Sequence, residues 1–126
     1  MFWCATQKCL CEGVSILGSE KCFENKIKKY LTYKGAYFVK FFANRMTKTG
    51  VPDILACVNG YFVGIEVKAQ TGKPSPLQIH NVEEIKKAGG FAFIVYPSGW
   101  DQLKKFIDDL SKETFSEEFN KQIILK

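Results

Sequence analysis

Two apolar runs, residues 54–58 and 61–67, meet at the dipeptide Asn59-Gly60. Asn-Gly between β-branched segments is the strongest short-range signal for a two-residue type I′ turn, because both turn positions need positive φ. Such a turn fixes the register of the hairpin. Val58 then faces Tyr61, and counting back from the turn sets Asp53 directly opposite Glu66. Alternation sends Ile54, Ala56, Val58, Tyr61, Val63, Ile65 and Val67 to one face, while Lys68 joins Glu66 on the other.

Two like charges facing each other across a ladder are destabilising, with Cβ atoms only about 5 Å apart. Selection for stability alone would avoid that pair in so apolar a hairpin. A divalent cation between the carboxylates converts the repulsion into attraction, and hard oxygen ligands suit magnesium. Lys68, two residues beyond Glu66, can then stand beside the attacking water or the phosphate. The plainer reading is an exposed hairpin with solvated charges, and a one-residue slip would undo the geometry.

At 126 residues the chain has room for one core, and its 46% hydrophobic and 25% charged content is that of an ordinary globular domain. The net charge of +5 is unevenly placed: 13 basic against 7 acidic residues up to Trp100, and 5 against 6 beyond it. A positive motif-bearing part suits a polyanionic partner. Arg45 is the sole arginine, so contact falls mostly to lysines, which meet phosphate as point charges rather than reading bases in bidentate fashion. No run approaches the ~20 apolar residues of a membrane helix. A reduced, cytoplasmic protein without membrane contact is expected. Of the five cysteines, Cys4, Cys9, Cys11 and Cys22 crowd the N-terminus in a spacing that matches no paired zinc pattern.

Residues 1–19 lack a clear period and read as a cysteine-containing arm. Ser19 suits an N-cap, and residues 20–34 form a first helix with Phe23, Ile27, Tyr30 and Leu31 as its apolar stripe. Glu24 borders that stripe, and a carboxylate there needs a partner; Lys28, one turn on, would serve. Residues 36–42 read as a short strand. The polar loop from Asn44 to Gly50 carries Arg45 and Lys48 and is either a phosphate contact or a solvated connection. After Lys68 a loop containing Gly72 and Lys73 leads to Ser75-Pro76, an N-cap followed by proline, and Gln78 completes a capping-box spacing. That structural role accounts for Gln78 without catalysis. His80, the only histidine, has no partner of its kind for a catalytic or zinc pair and reads as a surface residue. The helix stops at Gly89-Gly90, and residues 91–96 form a continuous apolar run with the character of a buried strand in parallel pairing. A third helix covers residues 98–110. The tail from 113 to 126 repeats Phe115, Phe119 and Ile123 and reads as amphipathic, packing on the domain or on a second subunit. The fold class is α/β: a mixed sheet built from helix, antiparallel hairpin, crossover helix and parallel strand, flanked by helices.

Glu24, Gly50-Val51-Pro52-Asp53, Glu66-Val67-Lys68 and Gln78, in this order and on these elements, resemble the PD-(D/E)xK nucleases with their restriction-endonuclease-like core. More narrowly, Thr49 to Asp53, Val58 to Phe62 and Lys73 to Gln78 look like the VRR-NUC group, the virus-type replication-repair nucleases, in its small stand-alone phage form. The likeness covers residues 23–110, and the N-terminal arm has no counterpart in the family pattern. It implies a nuclease domain over residues 20–112 and a phage or prophage protein in a bacterial host. Asp53, Glu66 and the backbone carbonyl of Val67 would bind magnesium or manganese, and Lys68 would orient or deprotonate the attacking water. Glu24 would serve a second ion or reach the first through water, and Gln78 would stand close by. Arg45, Lys48 and Lys73 are the candidate DNA contacts. The implied activity is a structure-selective, resolvase-like DNA endonuclease acting as a homodimer on branched DNA. A restriction, nicking or flap nuclease and a non-cleaving DNA-binding module are the alternatives.

Overall fold

The computed structural model describes residues 19–112. Asn59 and Gly60 both take positive φ, 50° and 90°, as a type I′ turn requires. Strands β2 (Ile54–Val58) and β3 (Tyr61–Val67) pair antiparallel with Val58 opposite Tyr61 and Ile54 opposite Ile65, the register set by the turn. Helix α1 (Ser19–Tyr33) leads into β1 (Tyr37–Lys40), which pairs antiparallel with β2. Helix α2 (Pro76–Lys87) carries the chain over to β4 (Phe91–Val95), parallel to β3. A 3₁₀ turn (Pro97–Gly99) then opens α3 (Trp100–Ser111). The sheet order is β1-β2-β3-β4, a mixed sheet flanked by helices.

One face of the sheet is the core. Ile54, Ala56, Val58, Val63, Ile65 and Val67 meet Phe23, Ile27 and Leu31 of α1 and Leu103, Ile107 and Leu110 of α3, all buried. Each such aliphatic side chain contributes about 1.5–3 kcal/mol by leaving water. Trp100 packs edge-on against Phe23 and Tyr30, and the Tyr30 hydroxyl donates to Asp108, so α1 and α3 are joined by rings and by a polar bond. The Asn59 side chain donates to the Leu110 carbonyl at 2.9 Å and fastens the hairpin tip to the end of α3. Helix α2 takes the opposite face, where Ile85 and Pro52 close over Gly64.

Two expectations shift. Strand β1 spans four residues rather than seven, although one further bond, Phe41 N–H to the Asp53 carbonyl at 2.8 Å, extends its pairing. Strand β4 lies at the edge of the described sheet, so Phe91, Phe93 and Ile94 are only partly buried despite their unbroken apolar sequence. The N-terminal arm with Cys4, Cys9 and Cys11 and the tail from residue 113 lie outside the described residues. Among the described residues no helix is long and apolar enough to cross a membrane.

Candidate active site

Asp53 sits one residue before β2 and Glu66 one residue before the end of β3, so the hairpin register brings their main chains side by side. Each carboxylate is held by backbone from the opposite strand. The Asp53 N–H donates to Glu66 Oε2 at 3.1 Å, and the Val67 N–H donates to Asp53 Oδ2 at 3.1 Å. This reciprocal clasp leaves Asp53 Oδ1 and Glu66 Oε1 to face other partners. Glu66 is 2% exposed. Burial first, and the nearby Asp53 charge second, push its pKa up to about 7. A carboxyl so placed gives up its proton reluctantly unless a cation arrives.

Glu66 Oε1 receives two neighbours. Lys68 Nζ stands 3.7 Å away, and the Gln78 side-chain amide donates to the same oxygen. Gln78 does this because its other end is fixed: its Oε1 accepts the Ser75 N–H at 2.8 Å while Ser75 Oγ accepts the Gln78 N–H at 3.2 Å. The capping box of α2 therefore orients the amide so that its NH₂ group faces Glu66. Gln78→Ala should cost about 1 kcal/mol through the cap. Unlike Ser75→Ala, it should also slow the cleavage that the nuclease resemblance implies by about 10–100-fold, as loss of a group orienting a carboxylate that binds metal does. Urea melts and initial rates on both variants separate the two effects; equal rates would show that the amide serves the helix alone.

Glu24, from α1, is 6% exposed and lies among lysines. Its Oε1 accepts a bond from Lys40 Nζ at 2.7 Å. Its Oε2, reached by no hydrogen bond of good geometry, lies 2.8 Å from Lys28 Nζ. Burial alone would raise the Glu24 pKa, but Lys28 and Lys40 outweigh it and hold the carboxyl below its ordinary value. Lys40 Nζ is also 3.6 Å from Asp53 Oδ1, which makes it the link between the helix glutamate and the hairpin aspartate. Burial works against the charge on Lys40, yet Glu24 and Asp53 together keep its pKa above the usual lysine value. Sequence reading passed over Lys40. No local rule marks it: Lys40 shares the core face because β1 pairs it with Ile54, and a lysine there needs a carboxylate.

A second residue that sequence reading missed is Asn81, 4% exposed. Its amide donates to the Thr49 carbonyl at 3.1 Å and to the Leu77 carbonyl at 2.8 Å, tying the turn before Pro52-Asp53 to α2. Arg45, Lys48 and Lys73 are exposed on loops and form no ion pair with these groups. Phe42 and Met46, on the loop that carries Arg45, are 74% and 93% exposed. His80 is exposed beside Glu84, 3.8 Å away.

Among the described residues no three His, Cys, Asp or Glu side chains are grouped as a ready metal cage. Asp53 Oδ1 and Glu66 Oε1, turned from the clasp beside the Val67 peptide and approached by Lys40, Lys68 and Gln78, are the hard oxygen donors that suit magnesium. That ion takes one or two protein carboxylates and fills its remaining positions with water and phosphate oxygens.

A mixed four-stranded sheet with flanking helices, whose hairpin sets an aspartate against Glu-x-Lys, defines the class of the PD-(D/E)xK nucleases. The chain belongs to the archaeal Holliday junction resolvase (Hjc) family, whose model matches residues 18–114. Membership implies a nuclease. No curated protein and no solved structure matches the chain.

Proposed function

We propose that the protein is a metal-dependent endonuclease that cuts branched DNA, above all four-way junctions, as a homodimer. The observation that carries this reading is the Asp53–Glu66 clasp, with Lys68 and Gln78 on one Glu66 oxygen. Asp53, Glu66 and the Val67 carbonyl would hold magnesium or manganese, which when bound polarises the scissile phosphate and favours attack by water. Lys68 orients the attacking water from beside Glu66. Gln78 holds the Glu66 carboxylate in place, and Lys40 and Lys28 keep the buried Glu24 ionised. Phosphodiester hydrolysis forms a P–O bond to the attacking water oxygen and breaks the P–O bond to the leaving oxygen; the proton that the water gives up to solvent is matched by one that the leaving oxygen takes from it.

The family match supports junction DNA as the substrate. The lysine-rich charge supports backbone contact, with Arg45, Lys48 and Lys73 as the exposed candidates. A two-fold dimer matches a two-fold junction and allows paired cuts in opposing strands. The narrower kinship with VRR-NUC nucleases, and with it a phage origin, rests on Thr49 to Asp53, Val58 to Phe62 and Lys73 to Gln78.

The test is cleavage of labelled four-way junction, flap and linear duplex with magnesium, manganese and chelator, all at one salt concentration because backbone-driven affinity depends steeply on salt. Paired, metal-dependent cuts near the branch point are expected. Equal cleavage of all three substrates would remove structure selectivity and favour a restriction, nicking or flap nuclease. Tight junction binding without cleavage in either metal would leave a binding module.

A further inference from the structure

We propose that Lys40 is a built-in second cation: its ammonium holds the place between Glu24 and Asp53 that a second divalent ion would need, so each active site takes a single metal ion. The inference rests on the reading of Asp53 and Glu66 as the metal site.

The position of Lys40 is fixed from three directions. On β1 it lies opposite Ile54, so its side chain rises on the side covered by α1, where Glu24 is buried. Its Nζ is 2.7 Å from Glu24 Oε1 and 3.6 Å from Asp53 Oδ1, spanning the two carboxylates that would have to share a second ion. The ammonium also stands 5.9 Å from the Phe42 ring centroid, close enough for the ring face to favour the cation. A magnesium or manganese ion bound to Glu24 would have to sit about 2.0–2.2 Å from a carboxylate oxygen. The ammonium already fills that side of Oε1, and Lys28 stands at Oε2. Glu24 therefore has an ammonium in close ion-pair contact at each oxygen, at 2.7 and 2.8 Å, whereas the ammonium groups nearest Asp53 Oδ1 and Glu66 Oε1 stand back at 3.6 and 3.7 Å.

Charge matching points the same way. Glu24, Asp53 and Glu66 face Lys28, Lys40 and Lys68, three carboxylates against three ammonium groups. The protein part of the site is then close to neutral. One divalent cation brings it to the charge that balances a phosphodiester under attack by hydroxide, which carries two negative charges. A second divalent ion would overshoot that balance and would meet Lys40 at contact distance. Lys40 is thus a positioning residue: it keeps the buried Glu24 ionised and sets a fixed positive charge beside Asp53.

The test is a manganese titration of the full chain without DNA, reading the free hexaaquo ion by electron paramagnetic resonance. Wild type should bind about one ion per chain, as a two-carboxylate magnesium-type site does. Lys40→Met should bind about two, because Glu24 and Asp53 are then open to a cation, and Lys40→Met with Glu24→Gln should return to about one. Two ions in wild type, or one in Lys40→Met with its circular dichroism and melt intact, would overturn the proposal. Should Lys40→Met fail to fold, Glu24→Gln alone decides. Manganese uptake unchanged from wild type is expected, and a lost ion would show that Glu24 is a ligand and overturn the proposal. Asp53→Asn serves as the separate control. Uptake equal to wild type in that variant would sink the metal reading itself, irrespective of Lys40.

Discussion

Asp53→Asn should abolish cleavage while leaving the metal-free fold at least as stable as the wild type. Asparagine is close to isosteric and its carbonyl can still accept the Val67 N–H that Asp53 Oδ2 accepts at 3.1 Å, so the clasp survives. What is lost is the charge. A site with one carboxylate in place of two holds a divalent ion poorly, and a drop of about 10³-fold or more in rate is expected, at or beyond the effect of removing one preorganised electrostatic group. The stability half of the prediction comes from Glu66, whose pKa of about 7 in the fold stands above its ordinary 4.5, through burial first and the Asp53 charge second. Between those two values the folded chain binds more protons than the unfolded one, so stability falls as pH rises across that window and stays low above it. Urea melts in chelator should show the wild type less stable at pH 8 than at pH 5, by something on the order of 1–3 kcal/mol. Asp53→Asn removes the second cause of the shift, and its loss over the same interval should be smaller. Magnesium should restore stability at pH 8 in the wild type and not in the variant, since the ion takes the place of the proton. A variant that cuts at the wild-type rate would remove Asp53 from the site.

The local rules in the sequence reached a long way here because the site is built on a hairpin. Asn59-Gly60 determines which residues oppose each other, and one turn type suffices to bring Asp53 to Glu66. Gln78 was also readable, in two competing senses, and the geometry shows no competition: the cap holds one end of the amide so that the other meets Glu66. Glu24 and Lys28 lie one helical turn apart, and their pairing follows from that spacing. Lys40 and Asn81 belong to a different kind of information. Lys40 meets Glu24 across 16 residues and Asn81 meets Thr49 across 32, so their partners depend on how α1 and α2 settle on the sheet. Burial of β4 was misjudged for a related reason. An apolar run such as residues 91–96 records what the strand prefers, not whether another strand lies outside it.

Gly50→Ala should be the most damaging substitution of a single methyl group in the described chain. Gly50 has φ +84°, and a Cβ there would lie 2.7 Å from Asn81 Nδ2 and 2.8 Å from the Leu77 carbonyl oxygen. Asn81 is a side chain and could turn away, but only by giving up its bonds to Thr49 and Leu77 and leaving a buried amide unsatisfied. The Leu77 carbonyl is helix backbone and cannot yield without disturbing the first turn of α2, where Gln78 is held. The turn would have to lift instead, carrying the buried Pro52 and then Asp53 away from the Val67 N–H. Together the strained φ, the overlap and the lost bonds should cost about 2–4 kcal/mol, with cleavage falling by about 10²-fold as Asp53 is displaced. Gly35→Ala isolates the cause. Gly35 has a similar φ of +74°, yet nothing lies within 4 Å of its would-be Cβ, so it carries the conformational strain alone. That control should lose only about 1 kcal/mol and keep its activity. Asn81→Ala in the Gly50→Ala background should recover little, because the overlap with the Leu77 carbonyl remains. Equal stability of the Gly50 and Gly35 variants would mean that α2 does not press on the turn, and that Asp53 owes its place to the hairpin register alone.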